Sequence, residues 1–153
     1  MMTLEQLVEL AGRHAYSVLV ERHLPALEPC WVLDEPDGQL RIIGTPWSDE
    51  HEKEIAAKIM RLHMRQHHTR AYSLVTEAWT AKAPEGWDPD TPLPQRPAER
   101  PDRQEVVIAV ATDGRENQWR SWAIKRDWNE RVVALEPRPM EGELTSWMTD
   151  LLK

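Results

Sequence analysis

The chain has 153 residues, 41% of them apolar and 29% charged, a size and balance that suit one folded domain with one substantial core and exclude a disordered chain. Its formal net charge of -7 opposes non-specific attraction to nucleic-acid phosphates or anionic lipid, so neither nucleic acid nor a membrane is expected as a partner. Eight tryptophans, two tyrosines and no phenylalanine make Trp the main large aromatic, and the indole N–H needs a partner when buried, which places some of these rings at half-buried edges or contacts.

Residues 3–23 carry Leu4, Leu7, Val8, Ala11, Ala15, Val18 and Leu19 at spacings of three and four, the signature of a helix with one apolar stripe. Thr3 suits its N-cap, and Pro25 and Pro29 end it because neither can supply the next backbone donor. Cys30 is the only cysteine. It cannot close an intrachain disulfide, has no fixed basic neighbour to stabilise a thiolate, and reads as a plain buried thiol. With no basic, apolar leader and no apolar run of membrane-spanning length, a cytoplasmic location is expected.

Two β-rich runs between Trp31 and Ile43 flank Pro36-Asp37-Gly38, which predicts a hairpin. Asp49, three residues before Glu52, starts a second helix reaching about His67, with Ile55, Ile59 and Leu62 expected on its buried face. Its acidic start and basic end suit the helix dipole.

Residues 70–82 form a long strand and Glu105–Thr112 a second, the latter so continuously apolar that it should be covered on both faces. Between them Pro84, Pro89, Pro92, Pro94, Pro97 and Pro101 impose a loop over 83–103. Arg96, Arg100 and Arg103 there are interleaved with Glu99, Asp102 and Glu105, a solvated mixed-charge stretch rather than a basic patch. Residues 118–126 and 131–136 supply two shorter strands joined through Asp127–Asn129, and 141–152 a short final helix packing through Leu144, Trp147, Met148 and Leu151. Tight turns join most neighbours. The expected fold is therefore a single α+β domain, with a mainly antiparallel sheet of five to six strands, two long helices and the short C-terminal one.

His63 and His67 lie four apart on the second helix and form the best metal candidate, with His68 nearby. No HExxH glutamate or cysteine cluster supports them, and basic groups at a helix end also serve the dipole, so no metal or other cofactor is assigned. Strand alternation puts Val75, Glu77 and Trp79 on one face. If that face is buried, Glu77 needs a partner such as Arg70, Arg103 or Arg120; if it is open, Trp79 marks a groove or a seam. Arg120, Trp122 and Arg126 alternate similarly and could hold a planar or anionic ligand, although a polar outer face is the simpler reading. There is no P-loop, GxGxxG, GxSxG or CxxC motif.

The segment Tyr72-Ser73-Leu74-Val75-Thr76-Glu77-Ala78-Trp79, the Pro/Arg loop, and Arg100-Pro101-Asp102-Arg103-Gln104-Glu105-Val106-Val107-Ile108 resemble small uncharacterised proteins of bacterial and phage genomes. The resemblance implies a bacterial or phage setting and brings no activity and no catalytic residue. The function expected from the sequence is a non-enzymatic binding or assembly protein, homodimeric, meeting a protein partner or a small anionic ligand through Trp79, Trp87, Arg100, Arg103, Arg120 and Trp122. A small-molecule or nucleotide-handling protein, hydrolytic or a ligand sponge, with Glu77 and Glu105 as acid/base pair, is the alternative.

Overall fold

A computed structural model describes residues 2–80, 99, 101–139 and 147–152. Six strands form one antiparallel sheet: β1 (Cys30–Asp34), β2 (Leu40–Gly44), β3 (Ala71–Thr80), β4 (Gln104–Thr112), β5 (Asn117–Arg126) and β6 (Val132–Pro137). Their order across the sheet is β2-β1-β3-β4-β5-β6, so the last four strands are the expected meander and the hairpin joins it through β1. Helix α1 (Leu4–Tyr16) packs on one face and α2 (Glu50–His67) on the other, which makes an α+β fold with a helix on each side of an open sheet.

The N-cap of α1 is Thr3, whose hydroxyl accepts from Gln6 N–H while the Gln6 side chain accepts from Thr3 N–H, a reciprocal capping box. Beyond Tyr16 the coil widens into a π-helical stretch, Ser17–Glu21, closed by the Arg22 N–H donating to the Ser17 carbonyl five residues back. Leu7, Val8, Ala11, Ala15, Val18 and Leu19 are all buried, as their spacing predicts, against Cys30, Val32, Val75, Val107 and Ala109 of the sheet. Gly12 lets α1 approach β5 closely: a Cβ there would stand 2.7 Å from Cη2 of Trp122. Trp122 is thus half-buried beneath α1, and its face of β5 is not the open polar face expected.

The opposite layer departs from expectation at α2. Asp49 caps the helix by accepting from Glu52 N–H, but Ile55, Ile59 and Leu62 are 44%, 59% and 57% exposed. The buried face is Ala56, Met60 and Met64, closing on Trp31, Leu33, Tyr72, Leu74 and Val110. The reason is shape. Two large rings, Trp31 and Tyr72, at 5.7 Å between centroids, leave irregular space that unbranched methionine fills better than isoleucine. Hydropathy periodicity counts both stripes alike and cannot choose between them.

The Trp31 indole, fully buried, donates to Thr45 Oγ1 at 2.7 Å, which satisfies its polar atom inside the core. The C-terminal helix expected over 141–152 is not shown: the described part, 147–152, contains one 3-10 turn, Trp147–Thr149, while 140–146 lie outside the described residues. Met148 and Leu151 are buried in the α2 layer, and the Tyr72 hydroxyl donates to the Met148 carbonyl, pinning this segment to β3. Among the described residues, no helix is long and apolar enough to cross a membrane.

Candidate functional site

The β3–β4 ladder settles which face Glu77 and Trp79 share. Val75 pairs with Ala109, Glu77 with Val107 and Trp79 with Glu105, so all six lie on the α1 face. Helix α1 covers Val75, Val107 and Ala109 but stops short of the end that carries Trp79 and Glu105. The dilemma posed by the sequence resolves along the strand. The face is buried at one end and open at the other.

Glu77 sits at the boundary. Its Oε1 accepts from the Leu27 N–H at 3.1 Å, from the segment that follows the π-helical turn. None of Arg70, Arg103 or Arg120 pairs with it: Arg70 holds the buried Asp34 at 2.7 Å and Arg120 reaches Glu5 at 3.3 Å. Burial pushes the Glu77 carboxyl up from its ordinary value, helped by the negative charge of Glu105, while the Leu27 hydrogen bond and the Arg126 charge pull it down.

Glu105 is held by a two-pronged clasp, Arg126 Nε to Oε2 and a terminal guanidinium nitrogen to Oε1, both at 2.8 Å. The other guanidinium nitrogen donates to the Glu130 carbonyl at 2.9 Å. That bond ties in the turn between β5 and β6, which Asp127 also braces by accepting from the Asn129 and Arg131 N–H groups. Trp128, at the tip of this turn, is 89% exposed. Trp79 is 45% exposed, with the Arg103 guanidinium 4.8 Å above its ring. One end of the sheet thus carries two open indoles, linked through the chain Trp79, Glu105, Arg126 and the 127–131 turn.

Trp128 was not singled out from the sequence. Its signal was present nonetheless, since a Trp flanked by Asp127, Asn129 and Glu130 in a turn has no strand alternation to draw it inward. Trp87 and Arg100 lie outside the described residues. Arg120 and Trp122 do come together, but away from Trp79, in a groove of about 360 Å³ beside α1 that Glu9, Arg13 and Tyr16 also line.

His63 and His67 meet as stacked rings, with centroids 4.2 Å apart. His63 Nε2 faces Oε1 of the buried Glu35 at 3.7 Å, and Arg41 Nε approaches the same oxygen at 3.8 Å. Among the described residues, no group of three His, Cys, Asp or Glu side chains is placed to hold a metal ion. Burial and the Glu28 charge push the Cys30 thiol up to about 11, which disfavours a thiolate nucleophile.

Compared with family models, curated proteins and solved structures, the chain matches none.

Proposed function

We propose that the chain is a non-enzymatic binding or assembly protein that meets a protein partner through the Trp79–Trp128 end of its sheet. The observation that carries this reading is the pair of open indoles held at one sheet end by the Glu105–Arg126 clasp. Trp and Arg are the side chains that most often anchor protein contacts, because a rigid ring or a planar guanidinium buries large area at low entropic cost. Trp79 projects from the β3–β4 ladder and Trp128 from a turn braced by Arg126 and Asp127, an arrangement that lowers the ordering binding must supply. The arrangement also speaks against Glu77 and Glu105 as an acid/base pair. Both oxygens of Glu105 already accept from Arg126, and one oxygen of Glu77 accepts from the Leu27 N–H.

The test is affinity capture with immobilised wild type beside Trp79→Ala and Trp128→Ala, both folded by circular dichroism. A protein retained by wild type and lost from both variants is expected; identical retention by all three removes the reading. The groove of Arg120, Trp122 and Arg13 favours a second reading, a small planar anion stacked on the indole. A thermal-shift screen of nucleotides and aromatic acids checks it, with stabilisation that Arg120→Ala abolishes as the expected result.

A further inference from the structure

We propose that the groove beside α1 takes a planar zwitterion, an aromatic α-amino acid, with its ring against Trp122, its ammonium on Glu9 and its carboxylate on Arg13. This rests on the second reading above, that the groove holds a small planar anion, and names the class of that ligand. Four of the lining residues, Glu9, Gly12, Arg13 and Tyr16, come from α1. Gly12 has no side chain, and Trp122 rises against it, since a Cβ there would stand 2.7 Å from the ring. The half-buried indole thus reaches the groove beside both an acid and a base, with Tyr16 and Leu135 adding apolar surface.

Glu9 and Arg13 lie four apart with the acid first, an order that ordinarily closes into an ion pair along a helix. Here neither makes an ion pair or a hydrogen bond among the described residues. Arg120, the other cation of the groove, already reaches Glu5 at 3.3 Å. One free charge of each sign therefore stands beside an aromatic surface.

Charge selects the zwitterion. Side chains on successive turns of one helix face start about 5–6 Å apart. A single α-carbon that carries both an ammonium and a carboxylate bridges that span, with each group within hydrogen-bond reach of its partner. A simple anion on Arg13 meets Glu9 as a repulsive neighbour, and an added ammonium turns that contact into an attractive one. The net charge of -7 also repels an anion at long range but not a ligand without net charge. The volume of about 360 Å³ lies near the small end of ligand sites, roughly 300–1,000 Å³, and suits one amino acid better than a dinucleotide or a peptide.

Titration calorimetry of the purified chain tests this with three probes: L-tryptophan, indolepropionate, which lacks the ammonium, and tryptamine, which lacks the carboxylate. L-Tryptophan is expected to bind, and each of the other two about tenfold more weakly. Glu9→Gln should remove the preference over indolepropionate and Arg13→Gln the preference over tryptamine, while both variants, at exposed positions, keep the wild-type circular dichroism. Trp79→Ala should change neither preference, which separates this groove from the partner surface. Indolepropionate binding wild type as tightly as L-tryptophan overturns the zwitterion and leaves the planar-anion reading standing, as do preferences that survive in both variants. No heat from any of the three probes also overturns it, and the nucleotide and aromatic-acid screen above then decides separately whether the groove takes a planar anion.

Discussion

Trp79 and Glu105 stand directly opposite each other on β3 and β4, on a sheet face that α1 buries elsewhere and leaves open here. Glu105 is in turn clasped at both oxygens by Arg126, whose remaining nitrogen holds the turn that presents Trp128. One guanidinium therefore ties two exposed indoles to a common frame. Arg126→Ala leaves a half-buried carboxylate without its partner and frees the turn, at an expected cost of about 2 kcal/mol. Hydrogen exchange should accelerate at 127–131 while β3 stays protected; unchanged exchange in the turn contradicts the clasp.

Glu77 gives the fold a pH dependence whose sign can be worked out. Its folded carboxyl titrates above the unfolded one, chiefly because burial disfavours the charge. The unfolded state therefore releases its proton first as pH rises, and stability from this group is full below the unfolded value and declines between the two. Glu77→Gln keeps an oxygen for the Leu27 N–H but cannot ionise. The variant should match wild type near pH 4 and exceed it in melting temperature at pH 7; a variant less stable at pH 7 would show that the carboxylate is needed for more than this bond.

Gly12 inverts the usual rule for a helix interior, where alanine is favoured over glycine by about 1 kcal/mol. Here the added methyl meets Trp122 at 2.7 Å. Gly12→Ala is expected to destabilise by roughly 1–3 kcal/mol through overpacking. In a Trp122→Ala background the same change should become neutral or stabilising, so a double-mutant cycle by urea denaturation reads the contact directly. Additive effects would contradict it.

Tyr72 is fully buried and its hydroxyl donates to the Met148 carbonyl, a bond that anchors the C-terminal segment. Burial pushes the phenol well above its ordinary range, so it stays a donor at any physiological pH. Tyr72→Phe should cost about 1 kcal/mol by removing this buried hydrogen bond. Exchange should rise at 148–152, whereas a segment equally protected in the variant would mean that Met148 and Leu151 packing alone holds it.

Much of this fold is legible in the sequence because its signals are local. Thr3 and Asp49 announce the helix starts through the groups they cap, Pro36-Asp37-Gly38 announces the hairpin, and the long strands declare themselves by continuous β-formers. What is not legible depends on contacts far apart in the chain. The choice of Met60 over Ile59 for the core follows from the rings of Trp31 and Tyr72, which reach α2 from two other strands. The partner of Glu77 is a backbone N–H 50 residues away, which no side-chain inventory contains. The clasp of Glu105 by Arg126 required the β4–β5 register, and that register cannot be read from alternation alone.

On the proposed reading, a partner is met at the Trp79–Trp128 end of the sheet. Photo-crosslinking tests it most directly, with benzoylphenylalanine at position 79 or 128 in the cells that make the protein, and at Arg115, in the exposed turn at the opposite end of the sheet, as control. One protein adduct shared by positions 79 and 128 and missing from 115 is expected. No adduct at either tryptophan position, or the same adducts at all three, contradicts it.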